Sequence, residues 1–322
     1  MTQRPAVLIM QRHLAPLSAF LESAYDVYRF WEGPPIEAAH DIRALIVAGE
    51  APLDKALIEQ LPALDLIACF TSGYDGIDID WCRERGLPVT HAPGVNHEDV
   101  ADHALGLILA ARRQIVSGDR QVRSGGWTAE TRTITASIGS QKLGVVGLGA
   151  IGKAVARRAE AFRMPVAWWG PRPKEAEWPR ADSLPALAKA SDVLVVACKA
   201  DETNRGLISR EVLEALGPDG LLVNVSRGQV VDEDALIDML KSGALGQAAL
   251  DVFMEEPTEP SRWADVPNLV LTPHTAGATT AGVQGMLMLL MQNLQAHFAG
   301  QPLKTPVDLT PDAGAAADAR RP

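Results

Sequence analysis

Gly147, Gly149 and Gly152 stand at GxGxxG spacing in the run Gly147-Leu148-Gly149-Ala150-Ile151-Gly152, after an apolar run at 143–146 and before a helical pattern. Strand, glycine turn and helix in that order make a cradle for phosphate. Gly147 permits the tight turn, Gly149 lets a pyrophosphate approach the backbone, and Gly152 lets helix and strand pack closely. The helix start offers free N–H groups to an anion. The other reading is a glycine turn that binds nothing. Three later segments carry further chemistry: Asn224-Val225-Ser226-Arg227-Gly228, Leu250-Asp251-Val252-Phe253-Met254-Glu255-Glu256-Pro257 and Thr272-Pro273-His274-Thr275-Ala276-Gly277. Each lies at or just past the end of an expected strand, and ligands in open α/β sheets bind beyond the carboxyl ends of strands, so all three can face one crevice. Arg227 suits a carboxylate through two parallel bonds. His274 titrates near neutral pH and can give or take a proton. A carboxylate beside it, from Glu255 or Glu256, would favour the imidazolium. Taken singly, each has a plain reading: a surface arginine, a turn acid, a satisfied polar histidine.

The residues after the next expected strand bear on which dinucleotide is bound, because a carboxylate there would accept from the adenosine ribose 2′-OH. The chain instead reads Trp168-Trp169-Gly170-Pro171-Arg172-Pro173-Lys174, with no acid at Gly170 and two cations following. A 2′-phosphate would gain roughly 1.5–3 kcal/mol per charge-assisted bond from Arg172, with Lys174 as a second cation. NADP(H) is therefore preferred, with NAD(H) possible. The alternative is a solvated basic loop with no part in selection.

Short apolar runs alternating with amphipathic stretches must position these segments, the pattern of an α/β protein on parallel sheets. Strands are expected at residues 6–10, 44–48, 66–70 and 88–91, then at 143–146, 165–169, 193–197, 221–224, 248–250 and 269–271. Helices are expected at 53–60, 96–113, 151–163, 209–216, 232–241 and 280–299. The helix 96–113 has Asn96 as its cap, Glu98 and Asp99 in its first turn, and a buried stripe of Val100, Ala104, Leu107, Ile108 and Ala111. Residues 312–322, rich in Ala, Asp and Arg without apolar periodicity, are expected to be disordered.

At 322 residues the chain is long enough for about two domains. Its 47% apolar and 22% charged composition is that of a globular protein. A net charge of −10 disfavours nucleic acid or an anionic membrane surface as a partner. No apolar stretch approaches the roughly 18 residues that span a bilayer, and residues 1–5 show no signal-peptide start. Cys69, Cys82 and Cys198 form neither a CxxC pair nor a disulfide framework, so a reduced, cytoplasmic protein is expected. His97, Glu98 and His103 lack the HExxH spacing, and no metal site is expected. His103 is expected along the helix, with Asp102 near the surface between domains. Cys198 follows a strand at the expected cofactor cleft, and nothing marks it as reactive.

Together VVGLGAIG, NVSRGQVVDEDAL, ALDVFMEEP and TPHTAGAT occur in the order and spacing of the D-isomer-specific 2-hydroxyacid dehydrogenase family, which the chain resembles over nearly its whole length. The resemblance implies that Arg227 holds a substrate carboxylate and polarises the keto oxygen. His274 would protonate that oxygen, and Glu256, immediately before Pro257, would be its carboxylate partner. Asp251 would meet the nicotinamide carboxamide. Leu148, Ala150, Ile151, Cys198, Val225, Ser226, Ala276 and Gly277 would line the cofactor beside the glycines. The turn Thr71-Ser72-Gly73-Tyr74-Asp75-Gly76 can present backbone N–H groups to an anion or be a strand-to-helix turn only. The resemblance places Ser72 and Gly73 at a substrate carboxylate, across the cleft.

The resemblance also implies two Rossmann-like domains: a discontinuous, flavodoxin-like substrate domain, 1–98 and 279–322, and an inserted NAD(P)-binding domain, 99–278. Hinges would lie near Asn96 and His274, and closure would exclude water. A homodimer is implied, with the helix after Asn96 and the segment around Trp127 in its contact. The Gly-Pro-Arg-Pro-Lys loop resembles the glyoxylate/hydroxypyruvate reductase branch, so glyoxylate and hydroxypyruvate are the expected substrates. Alternatives are a D-lactate or D-3-phosphoglycerate type dehydrogenase, the latter disfavoured by the short chain after the last helix, and a dinucleotide-sensing corepressor-like scaffold. Trp127, Met254 and Trp263 are candidates for the substrate pocket.

Overall fold

A computed structural model describes residues 4–33, 38–131 and 133–310; the expected disordered tail lies outside the described residues. The chain divides into two compact units, one joining residues up to Val95 with those from Thr280 onward, the other Asn96–Thr279.

The first unit holds a parallel sheet of β1 (Ala6–Ile9), β2 (Asp26–Arg29), β3 (Ile42–Val47), β4 (Leu66–Cys69) and β5 (Val89–Thr90) in the order β2-β1-β3-β4-β5. This is the flavodoxin-like order. Side chains alternate between two cores: Val7 and Ile9 pack on one face with Met286, Leu290 and Leu294 of the helix Thr280–Phe298, while Ala6 and Leu8 pack on the other with Ile58 and Leu61. Both faces are covered, which is why the strands read as continuous apolar runs. The edge strand β2 escaped sequence reading for the converse reason. Its residues Asp26, Val27, Tyr28 and Arg29 are only half-buried, so no apolar run marks it. The helix expected at 53–60 shortens to Lys55–Ile58, capped by Asp54 on the Ala56 N–H.

The second unit holds β6 (Leu143–Val146), β7 (Val166–Trp169), β8 (Val193–Val196), β9 (Leu221–Asn224), β10 (Gln247–Leu250) and β11 (Leu269–Leu271), all parallel, in the order β11-β10-β9-β8-β6-β7. The sequence places each of these strands within a residue or so. The order reverses at β6, which pairs with β7 on one side and β8 on the other; such a switch point is where a doubly wound sheet binds its ligand. The helix His97–Arg112 buries the predicted stripe Val100, Ala104, Leu107, Ile108 and Ala111 in one core with Ala154, Val155 and Ala159 of the helix Ala150–Ala161. Asn96 occupies the N-cap of the former helix, but its side chain makes no capping bond. Helices at Leu184–Lys189 and Ile115–Arg123 were not expected; the latter buries no residue, so its sequence carries no core stripe.

Candidate active site

The glycine turn has the geometry its spacing requires. Gly147 takes φ +88°, and a Cβ there would lie 2.5 Å from Cys198 Cα. A Cβ on Gly152 would stand 2.0 Å from the Gly147 carbonyl oxygen, so only glycine lets the helix come this close. Gly149 faces open space, with no atom within 4 Å of where its Cβ would be. The Leu148 side chain is buried, which leaves its backbone to form the turn. A pyrophosphate fits this open position at a helix N-terminus. The turn is tied to β7 through the Gly147 N–H on the Trp169 carbonyl, 2.8 Å.

Beyond β7 the two expected cations differ. Lys174 Nζ donates to the Leu148 carbonyl and lies 5.4 Å from the Trp168 ring. Desolvation there, with Lys153 nearby, lowers its pKa. Arg172 is exposed, and Arg180 anchors the loop by donating to the Gly170 carbonyl at 2.8 Å. Burial pushes the Cys198 thiol up to about 11, so it stays protonated at neutral pH. Ser226 Oγ donates to the Cys198 carbonyl, 2.5 Å, joining the ends of β8 and β9.

Arg227 follows β9 in a turn closed by Asn224, whose Oδ1 accepts from the Ser226 N–H and whose Nδ2 donates to the Arg227 carbonyl, both at 3.0 Å. Gly228 brings this turn against the next segment, since a Cβ there would overlap the backbone of Phe253 and Met254. That segment is braced further. Buried Glu233 accepts from the Met254 N–H at 2.5 Å and from Arg262 Nε at 3.1 Å. Phe253 packs edge-on against Trp263, whose Nε1 donates to Thr258 Oγ1 at 2.8 Å. Trp263, a pocket candidate from the sequence, is instead a buried brace for the loop.

Of the two adjacent acids, Glu256 is the one turned to His274. Its Oε2 lies 2.5 Å from His274 Nδ1, while its Oε1 accepts from the Phe253 N–H at 2.9 Å. Each side chain is about a third exposed, 33% for His274 and 32% for Glu256. The Glu256 hydrogen bond raises the pKa of His274 against the opposing pull of burial. Burial pushes Glu256 up, but its bonds to His274 and Phe253 prevail and hold the carboxyl below its ordinary range. Arg227 acts on both, favouring the glutamate anion and disfavouring the imidazolium.

His274 has φ +52°, left-handed for a residue with a side chain, a conformation that persists only where its surroundings impose it. Asp251 supplies them. Its carboxylate is 1% exposed and accepts from the Thr275 and Ala276 N–H groups, both at 2.9 Å, and from Thr272 Oγ1 at 2.6 Å. Its carbonyl accepts from the His274 N–H at 2.8 Å. Asp251 was expected only at the cofactor; its role as anchor of the His274 loop has no signal in the sequence. Val225 and Ala276 are buried, and a Cβ on Gly277 would meet Asn96 Nδ2 at 2.3 Å. Asp102 pairs with Arg158 Nε at 2.6 Å.

Ser72 and Gly73 belong to the first unit, in the turn after β4. Ser72 Oγ donates to the Ala92 carbonyl at 2.6 Å, and Thr71 Oγ1 donates to the Gly73 carbonyl at 3.0 Å. A Cβ on Gly49 would meet the Gly73 carbonyl oxygen at 2.2 Å, so the turns after β3 and β4 pack backbone to backbone. No group of His, Cys, Asp and Glu among the described residues is placed to hold a metal ion, and no described helix is long and apolar enough to cross a membrane.

Residues 105–276 match the D-isomer specific 2-hydroxyacid dehydrogenase NAD-binding domain. Among curated relatives, a glyoxylate/hydroxypyruvate reductase A of Arabidopsis thaliana and a hydroxyphenylpyruvate reductase of Plectranthus scutellarioides are each 40% identical over 304 residues, covering 91% of this chain and 97% of theirs. Among solved structures, an NADPH-dependent glyoxylate/hydroxypyruvate reductase of Sinorhizobium meliloti in complex with NADP and malonate superposes with a TM-score of 0.88 at 34% identity, covering 96% of this chain and 98% of that one. A 2-hydroxyacid dehydrogenase of Ketogulonicigenium vulgare gives 0.88 at 39% identity, covering 95% and 99%. The fitted glycine cradle, the His274–Glu256 pair and these likenesses lead to one conclusion: the chain belongs to the D-isomer specific 2-hydroxyacid dehydrogenase family and is an oxidoreductase with a nicotinamide-dinucleotide-binding domain.

Proposed function

We propose that the enzyme reduces small 2-keto acids, glyoxylate and hydroxypyruvate first, to D-2-hydroxy acids with NADPH. The observation that carries this is the His274–Glu256 contact at 2.5 Å, in the loops beyond the carboxyl ends of β10 and β11, in the same parallel sheet whose β6 leads into the glycine cradle. The reduced nicotinamide, when bound, supplies hydride for the keto carbon. Arg227 holds the substrate carboxylate and draws charge toward the keto oxygen. His274 gives that oxygen a proton from Nε2 while its Nδ1 stays on Glu256; the carboxylate keeps the imidazolium charged until the proton leaves. In the reverse direction the same nitrogen takes the proton from the hydroxyl. The turn at Ser72 and Gly73 supplies backbone N–H groups for a carboxylate.

The preference for NADPH rests on Arg172, which is exposed while Lys174 is engaged on the glycine turn, and on the absence of an acid at Gly170, directly after β7. A homodimer is supported by apolar side chains exposed along one stretch, Ile115, Val122, Trp127 and Ile134, the last 92% exposed. The three free cysteines support a reducing, cytoplasmic setting. Equal identity to a hydroxyphenylpyruvate reductase favours an aromatic 2-keto acid as the second substrate class.

The test is turnover of purified enzyme on glyoxylate, hydroxypyruvate, pyruvate and 4-hydroxyphenylpyruvate with each cofactor. The expected result is the highest kcat/KM on the two small acids with NADPH. Arg172→Ala should then lower kcat/KM for NADPH about 10- to 100-fold, the worth of one charge-assisted bond, and leave that for NADH nearly unchanged. No turnover on any keto acid would favour a dinucleotide sensor and overturn the proposal; an unchanged NADPH/NADH ratio in the variant would overturn the role of Arg172.

A further inference from the structure

The helix His97–Arg112 sends His103 to the loop that carries His274. His103 Nε2 lies 2.9 Å from Thr272 Oγ1 and 3.4 Å from Asp251 Oδ1. The Thr272 hydroxyl has one proton, and it goes to Asp251 Oδ1 at 2.6 Å. At Thr272 the imidazole must therefore be the donor, with its hydrogen on Nε2. A relay results: His103 N–H to the Thr272 hydroxyl, that hydroxyl to the Asp251 carboxylate, and the carboxylate to the Thr275 and Ala276 N–H groups at 2.9 Å. Between these two amides and Thr272 stands His274, left-handed at φ +52° and held by its own N–H on the Asp251 carbonyl.

Asp251 is 1% exposed, so solvent cannot replace the Thr272 proton at this carboxylate if the hydroxyl turns away, and bonds in such a buried chain strengthen one another. The donors to this carboxylate come from the loop itself; His103, the donor to Thr272, comes from a separate element whose residues Ala101, Ala104 and Leu105 are buried in the core. We infer that His103 is a positioning residue for the reaction, one that orients the Thr272 proton toward Asp251 and so fixes the loop geometry in which His274 meets the substrate. The inference rests on the reading of His274 as the acid. His103 itself touches neither substrate nor hydride and acts through Thr272 and Asp251.

The test compares His103→Leu, which fills the space without a donor, with His103→Gln, whose amide N–H reaches about as far as Nε2. In the leucine variant, kcat for keto-acid reduction should fall about 10- to 100-fold from a displaced acid, with KM for the keto acid within about twofold. The solvent deuterium isotope effect on kcat should rise, because proton transfer from the displaced acid slows. Glutamine should bring both values back toward wild type. Hydrogen exchange read on the peptide covering residues 272–278 should quicken with leucine and recover with glutamine, while exchange in β6 and β8 stays slow. That measurement needs no turnover: if the wild-type enzyme reduces no keto acid the catalytic reading fails, and exchange still decides whether His103 orders the loop. Equal kcat losses for the two variants, or unchanged exchange at 272–278 in the leucine variant, would overturn the inference. If the leucine variant loses protection in β6 and β8 it has not folded, and Thr272→Val, which cuts the same relay within the loop, is read by the same two criteria.

Discussion

Replacing Asp251 by Asn probes the anchoring of the His274 loop, because the side chain keeps its size and loses its charge, with the small upward pull of that charge on the His274 pKa, and one acceptor. The carboxylate receives Thr272 Oγ1 and the Thr275 N–H on Oδ1 and the Ala276 N–H on Oδ2. Asn meets two of these donors by leaving its oxygen at the first position. Its NH2 then faces the Ala276 N–H, donor against donor, in a place that is 1% exposed. The lost charge-assisted bond is worth roughly 1.5–3 kcal/mol, and the orphaned N–H costs about 1–3 kcal/mol. The two overlap, so a net loss of about 2–4 kcal/mol is expected. For a unit of this size that lowers Tm by roughly 4–16 °C. The loop should relieve the clash by moving, and displacement of an acid by about 1 Å costs on the order of 100-fold in kcat. Thermal unfolding and steady-state reduction of glyoxylate by NADPH, measured on the same preparation, check both numbers. A Tm within about 1 °C of wild type together with kcat within about twofold would show that Asp251 does not hold the loop, and the reasoning would fail.

Two further substitutions probe the pair and the cradle. Glu256→Gln takes the negative charge from the acceptor whose hydrogen bond most raises the pKa of His274 and leaves burial and Arg227 to lower it; reduction needs the imidazolium, so its rate should begin to fall at a lower pH than in wild type. The kcat–pH profile reads this directly, and a basic limb that stays put or moves upward would contradict the pairing. Gly152→Ala puts a methyl 2.0 Å from the Gly147 carbonyl oxygen, a backbone atom that cannot swing aside. The helix must shift, costing about 1–3 kcal/mol of stability, and NADPH affinity measured by fluorescence titration should fall by about tenfold or more; unchanged affinity would mean that the cradle does not depend on this close approach.

The inner strands β6, β8 and β9 of the second unit were legible because both faces are buried, so each writes itself as a short apolar run bounded by a turn, and the edge strands β7 and β11, though partly exposed, still carry wholly apolar runs. The edge strand β2 was not, because its half-buried residues carry Asp26 and Arg29 at the two ends and leave no apolar run. The glycine turn was legible for a local reason as well: backbone sterics at Gly147, Gly149 and Gly152 act over six residues and leave their mark at fixed spacing. The types Arg227 and His274 could be read from the chemistry they can perform, and Glu256 from its place before Pro257 in a pattern shared with known enzymes.

What the amino-acid sequence by itself determined was thus the chemical inventory and the local elements: an anion cradle, a proton donor, a carboxylate clamp, and strands and helices to carry them. The tertiary structure decided which groups meet. His103 and Thr272 are 169 positions apart, and no periodicity links them; Asp251 and the 272–276 loop are joined only because β10 and β11 lie side by side. Lys174, read from the sequence as a second cation for a 2′-phosphate, donates to the carbonyl of Leu148. Side-chain hydrogen bonds across such separations depend on the register of packed elements, and that register is a property of the whole sheet rather than of any segment within it.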